Sequence, residues 1–108
     1  MPPDHGAAAV RIVLDTPELR VDWDAEVGEM RARINRIRAK IAAADQRLAY
    51  IGEQFGMFSM LPVSKEQVLR LRSDHSIYMA DSGRFNVVGM SDVAIDRFLA
   101  AVVEALDA

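Results

Sequence analysis

One periodicity governs what this chain can fold into. Leu19, Trp23, Val27, Met30, Ile34, Ile37, Ile41, Ala44 and Leu48 recur at steps of three and four. At 100° per residue they share a stripe about 100° wide, which is the pattern of a single amphipathic helix. A helix from Leu19 to Leu48 spans roughly 45 Å, whereas a compact globule of this length is about 34 Å across. The helix must therefore bend, with Gly28 the candidate hinge, or assemble, or be covered by further protein. Glu29, Arg33, Arg36 and Lys40 lie opposite the stripe, with Glu29 and Arg33 at i, i+4 spacing, so the basic run reads as a solvated face. Arg31 and Arg38 point elsewhere. With 13 Lys and Arg against 16 Asp and Glu, a net charge of −3, no basic patch forms and nucleic acid is not an expected partner.

The flanking sequence supplies starts and stops. Pro2, Pro3 and Gly6 make an extended entry, and the alanines of Ala7 to Asp15 tip that run toward helix. Thr16-Pro17-Glu18 opens the long helix, with Thr16 as N-cap and Pro17 at the first helical position, where its missing N–H costs nothing. After Gly52 the period changes. Phe55 to Leu61 reads as a strand ending at Pro62. Ser64 and Gln67 form a capping box for a helix to about Asp74, with Val68, Leu69 and Leu71 on its buried side. Ile77 to Ala80 and Arg84 to Val88 read as strands joined by Asp81-Ser82-Gly83. Ser91 caps a last helix that buries Ile95, Phe98, Leu99, Val102, Val103 and Leu106.

The expected fold is thus α/β of the α+β kind, a small sheet of about three short strands covered by helices and one long amphipathic helix. Residues 1–18 form an entry segment and short helix, 19–50 the long helix and 51–108 a small α/β domain. No run is apolar enough for a membrane span and no leader pattern is present, so a cytoplasmic location is the default.

Most catalytic chemistry lacks its residues. There is no cysteine, and His5 and His75 stand at no metal-ligand spacing, so no metal site is expected. Serine-nucleophile turns and glycine-rich phosphate loops are missing. Lys40 and Lys65 read as solvated, and Trp23 and the six methionines as core filling. Arg84 differs, because an arginine between a turn and a strand can present its planar fork rigidly to a carboxylate.

Four stretches in order resemble the C-terminal part of class I aspartate and aromatic aminotransferases, which use pyridoxal phosphate. They are Pro2-Pro3-Asp4-His5-Gly6; Leu19-Arg20 with Trp23 and Met30-Arg31-Ala32-Arg33-Ile34; Gly56-Met57-Phe58-Ser59; and Ser82-Gly83-Arg84-Phe85-Asn86-Val87 with Gly89. The resemblance implies that Arg84 grips the substrate α-carboxylate, that Phe58 lines the substrate pocket, and that the long helix enters a mobile small domain. It implies amino acid and 2-oxo acid substrates and a homodimer. It also implies that the Schiff-base lysine and the phosphate-binding residues lie in a large domain outside these residues, leaving no catalytic or cofactor-binding residue here and no transamination by this chain alone. Met60-Leu61-Pro62-Val63 departs from the family pattern, so the loop after the pocket strand is expected to be reshaped. Phe85 replaces a more usual aliphatic residue. The competing reading is a free-standing, non-catalytic binding or dimerisation module that uses the stripe of Trp23, Val27, Met30 and Ile34.

Overall fold

A computed structural model of the protein describes residues 2–108, which fall into two units divided between Arg33 and Ile34. In the first unit, α1 (His5–Asp15) is followed by the start of α2 (Pro17–Ala44). Thr16 separates them in an extended conformation. Its N–H donates to the Ile12 carbonyl at 3.1 Å and its own carbonyl accepts from Arg20 N–H at 2.9 Å, so one residue closes α1 and starts α2. α2 is helical through Gly28. The apolar side chains of this unit are open: Val10, Val21 and Met30 are exposed, and Trp23 is 44 % exposed rather than core filling.

The second unit holds the core. α2 ends at Ala44, short of Leu48, because Asp45 turns to an extended conformation and its carboxylate accepts from the Arg47 backbone N–H at 2.8 Å. A 3₁₀ helix, Gln46–Glu53, follows and delivers Leu48 and Ile51 to the core that Ile37 and Ile41 enter from α2. Next come β1 (Phe58–Met60), α3 (Lys65–His75), β2 (Arg84–Asn86), a short 3₁₀ turn (Val87–Gly89) and α4 (Ala94–Asp107). The capping box of α3 is complete: Ser64 Oγ accepts from Gln67 N–H at 3.2 Å and Gln67 Oε1 from Ser64 N–H at 2.9 Å. Gln67 Nε2 also donates to the Ala105 carbonyl, tying α3 to α4. Ser91 Oγ accepts from Ala94 N–H at the head of α4. That helix buries Ile95, Phe98, Leu99 and Val102, with Val103 and Leu106 half-buried.

The sheet has two strands where the pattern suggested three. β1 and β2 are antiparallel, with Phe58 opposite Asn86, Ser59 opposite Phe85 and Met60 opposite Arg84. Ile77 to Ala80 is not a strand, although half-buried Ile77 and Met79 alternate with exposed Tyr78 and Ala80 as strand residues do. Its backbone serves the neighbouring ends instead. Ile77 N–H donates to the Leu71 carbonyl beyond the left-handed Ser76 that caps α3, and the Ala80 carbonyl accepts from Gly83 N–H. On α3, Leu69 is exposed while Val68 and Leu71 are buried.

Gly83 makes the turn into β2 at φ +85°, and a Cβ there would lie 3.0 Å from both the Leu61 carbonyl oxygen and Val63 Cγ2. Gly83→Ala is therefore expected to cost about 1–3 kcal/mol, read as a lowered urea midpoint; an unchanged midpoint would show that the turn relaxes freely. Asp45 yields a pH prediction. Hydrogen bonds from the Arg47 side chain, then from its backbone N–H, hold the Asp45 carboxyl down at about 2 against an ordinary 3.8. The cap thus contributes fully above 3.8 and is lost as pH falls through about 2. An NMR titration of the Arg47 amide should show its midpoint near the lower value, and a midpoint at 3.8 would contradict the pairing.

Candidate functional site: an arginine fork on a short ribbon

Strand alternation sorts the ribbon into two faces. Ser59 and Phe85 point inward, and Phe85 meets Phe98 of α4 with ring centroids 5.5 Å apart. Phe58, Met60, Arg84 and Asn86 share the outer, exposed face. In this register Phe58 and Arg84 are diagonal neighbours across the two strands, within reach of long side chains. The Arg84 guanidinium carbon lies 4.2 Å from the Phe58 ring centroid. A cation this close to the ring face is held by the ring quadrupole, an attraction that uses none of the guanidinium N–H groups as hydrogen-bond donors. Both residues singled out from the sequence are thus in contact. Among the described residues no carboxylate is within ion-pairing distance of Arg84.

Arg84 borders two open clefts. One, of about 510 Å³, is walled by Tyr50, Gln54, Phe55, Phe58 and Met60. The other, of about 440 Å³, is mostly apolar, with Ile77, Met79, Met90 and Phe98 on its walls and Arg97 at its edge. Met60, the first residue of the stretch that departs from the family pattern, is exposed in the first cleft, and its carbonyl accepts from the Tyr50 hydroxyl at 2.5 Å. Partial burial pushes the Tyr50 phenol up. Leu61 is buried, and its N–H donates to the Gly83 carbonyl at 2.9 Å.

Beneath the ribbon lies Arg38, which the helical spacing set apart from the solvated basic face without giving it a role. It is 1 % exposed. Nη1 donates to Ser59 Oγ at 2.5 Å and to the Ile51 carbonyl at 3.3 Å; Nη2 donates to the carbonyls of Phe55 at 3.3 Å, Gly56 at 2.5 Å and Phe58 at 3.1 Å. Ser59 Oγ donates in turn to Gln54 Oε1 at 2.8 Å. Burial lowers the Arg38 pKa, yet a guanidinium keeps its charge in proteins. A signal for its burial was present: Arg38 follows Ile34 by four and precedes Ile41 by three, so it sits on the flank of the apolar stripe.

The family profile of aminotransferases of class I and II matches residues 1–102. The chain belongs to that family. It is 51 % identical over 94 residues to a tyrosine aminotransferase of Rhizobium meliloti (strain 1021), a match covering 83 % of this chain and 24 % of that protein. It is 39 % identical over 111 residues to an aspartate aminotransferase of Escherichia coli (strain K12), covering 97 % and 28 %. Among solved structures, a psychrophilic aromatic amino acids aminotransferase from Psychrobacter sp. B6, cocrystallised with aspartic acid, superposes with a TM-score of 0.91 at 35 % identity over 99 % of this chain and 28 % of that one. An aromatic-amino-acid aminotransferase from Burkholderia pseudomallei, covalently bound to pyridoxal phosphate, gives 0.90 at 37 % identity over 97 % and 28 %. The chain spans about a quarter of the length of the relatives it matches.

Phe58→Leu keeps an apolar side chain and removes the ring quadrupole. The Arg84 Nε–H order parameter is expected to fall into the flexible range, below about 0.6, with stability changed by about 0.5–1 kcal/mol. An order parameter equal to that of the unaltered chain would mean the ring does not hold the fork.

Proposed function

We propose that residues 1–108 are the carboxylate-gripping part of an aminotransferase that moves an amino group from an amino acid to a 2-oxo acid. Arg84 is the clamp and Phe58 a wall of the substrate pocket. The observation that carries this reading is the Arg84 fork, exposed, seated on Phe58 and free of a carboxylate partner among the described residues. A substrate α-carboxylate supplies the missing acceptor through two parallel charge-assisted hydrogen bonds. Because the ring already supports the guanidinium, less conformational freedom is lost on binding, and the substrate is oriented by its carboxylate end.

The family relationship implies pyridoxal phosphate, and the residues present do not fit it. That group needs a lysine amine within a phosphate-binding setting. Lys40 Nζ pairs with Asp96 at 2.9 Å, Lys65 Nζ lies 3.7 Å from Asp81, and both side chains are open to solvent away from Arg84. No step through the cofactor is assigned to these residues. In this reading the cofactor and the chemistry belong to a large domain, and residues 51–108 form the small domain that closes over the substrate and excludes water. The open side chains of Val21, Trp23 and Met30 suit burial against that domain or a partner subunit of a homodimer, in a cytoplasmic enzyme.

Lysine keeps the charge of Arg84 and loses its fork. In the intact protein carrying these residues, Arg84→Lys is expected to lower kcat/KM for amino acid substrates by about a hundredfold, the equivalent of about 3 kcal/mol for a charged hydrogen-bonded pair. Unchanged kcat/KM would remove Arg84 from the clamp role. Residues 1–108 alone, mixed with pyridoxal phosphate and an amino donor, should give no donor half-reaction by absorbance.

A further inference from the structure

A ladder of three residue pairs is too short to hold its own register, and a slip of one residue would move every side chain of β1 to the opposite face. Phe58 would then leave the face on which Arg84 rests. We infer that Arg38 is a positioning residue for the carboxylate fork: its buried guanidinium fixes the register of β1 and so keeps Phe58 beneath Arg84. This inference rests on Arg84 acting as that fork.

The acceptors of Arg38 carry the argument. All five lie between Ile51 and Ser59, namely the carbonyls of Ile51, Phe55, Gly56 and Phe58 and the hydroxyl of Ser59. Ser59 is the only side chain among them, and it stands on the inner face of β1 because the register places it there. In a strand slipped by one, Phe58 or Met60 would occupy that inner position and offer Nη1 no acceptor. A buried guanidinium left short of acceptors is strongly disfavoured, so the wrong register is penalised. Simple core filling does not require a cation here, since an apolar side chain of similar volume is often as stable at a buried site. What the cation adds is selectivity among registers. Lysine could not substitute, because its single ammonium lacks the two terminal nitrogens that divide these acceptors between them.

The test uses the full chain and two readouts. The first is the ring-current shift of the Arg84 Hδ protons over Phe58, with far-ultraviolet circular dichroism to confirm the fold. The second is the affinity for succinate, followed by NMR titration. In Arg38→Met that keeps its helix content, the ring-current shift should fall by at least half and succinate binding should weaken about tenfold. A full shift in the folded variant would overturn the inference and leave Arg38 a core residue only. Should Arg38→Met not fold, Ser59→Ala decides in its place: a reduced shift supports the pinning and a full shift overturns it. Arg84→Gln separates the two readings. If it binds succinate as tightly as the unaltered chain, the fork assignment fails, while the ring-current readout still decides whether Arg38 sets the ribbon.

Discussion

The second unit is organised around a buried cation with no carboxylate beside it among the described residues. Arg38 leaves the last turns of α2 and gathers the end of the 3₁₀ helix, the irregular stretch from Phe55 to Gly56 and the start of β1. Phe55 and Gly56 lie outside every helix and strand, so their carbonyls need a donor from elsewhere. A guanidinium suits this task better than any other side chain, because its planar fork offers several donors in fixed directions. Only Nε of Arg38 lacks a partner. The arrangement is anchored on its other side by the aliphatic residues next to Arg38, Ile37 and Ile41, which bury the same face of α2 in the core.

How much of this was legible depends on whether a feature is local. Caps were readable because their bonds close within a few residues: the side chains of Ser64, with Gln67, and of Ser91, before Ala94, act where the residue types suggested, while Thr16 opens α2 through its backbone carbonyl. Asp45 was overlooked because the apolar stripe continues to Leu48, and Leu48 is indeed buried, although by a 3₁₀ turn rather than by α2. Ile77 to Ala80 shows the opposite limit. Its alternation is that of a strand, but pairing requires a neighbour, and none of the described residues lies in ladder register with it. The site divides in the same way. Arg84 and Phe58 were recognisable by family resemblance, whereas their 4.2 Å stacking follows from a strand register that no local pattern specifies. Arg38 was separable from the solvated face of the basic run, but its acceptors lie 13 to 21 residues away and no local pattern names them.

The function proposed for these residues rests on preorganisation. Neither lysine is buried, no three potential metal ligands cluster among the described residues, and no described helix is long and apolar enough to cross a membrane. What the chain does offer is one exposed arginine on β2 whose guanidinium lies over an aromatic ring of β1, the strand whose Phe58 carbonyl accepts from Arg38. In the role proposed for it, Arg84 takes the carboxylate end common to all amino acids and 2-oxo acids, and discrimination between their side chains falls to other walls of the cleft, among which are Met60 and Tyr50.

The most direct measurement is a high-resolution crystal structure of the protein with a bound amino-acid-like carboxylate. The expected result is both carboxylate oxygens about 2.7–2.9 Å from two nitrogens of Arg84, with the guanidinium still seated over Phe58. A carboxylate bound elsewhere, or an Arg84 side chain that has swung off the ring to reach it, would contradict a fork held in place before the substrate arrives.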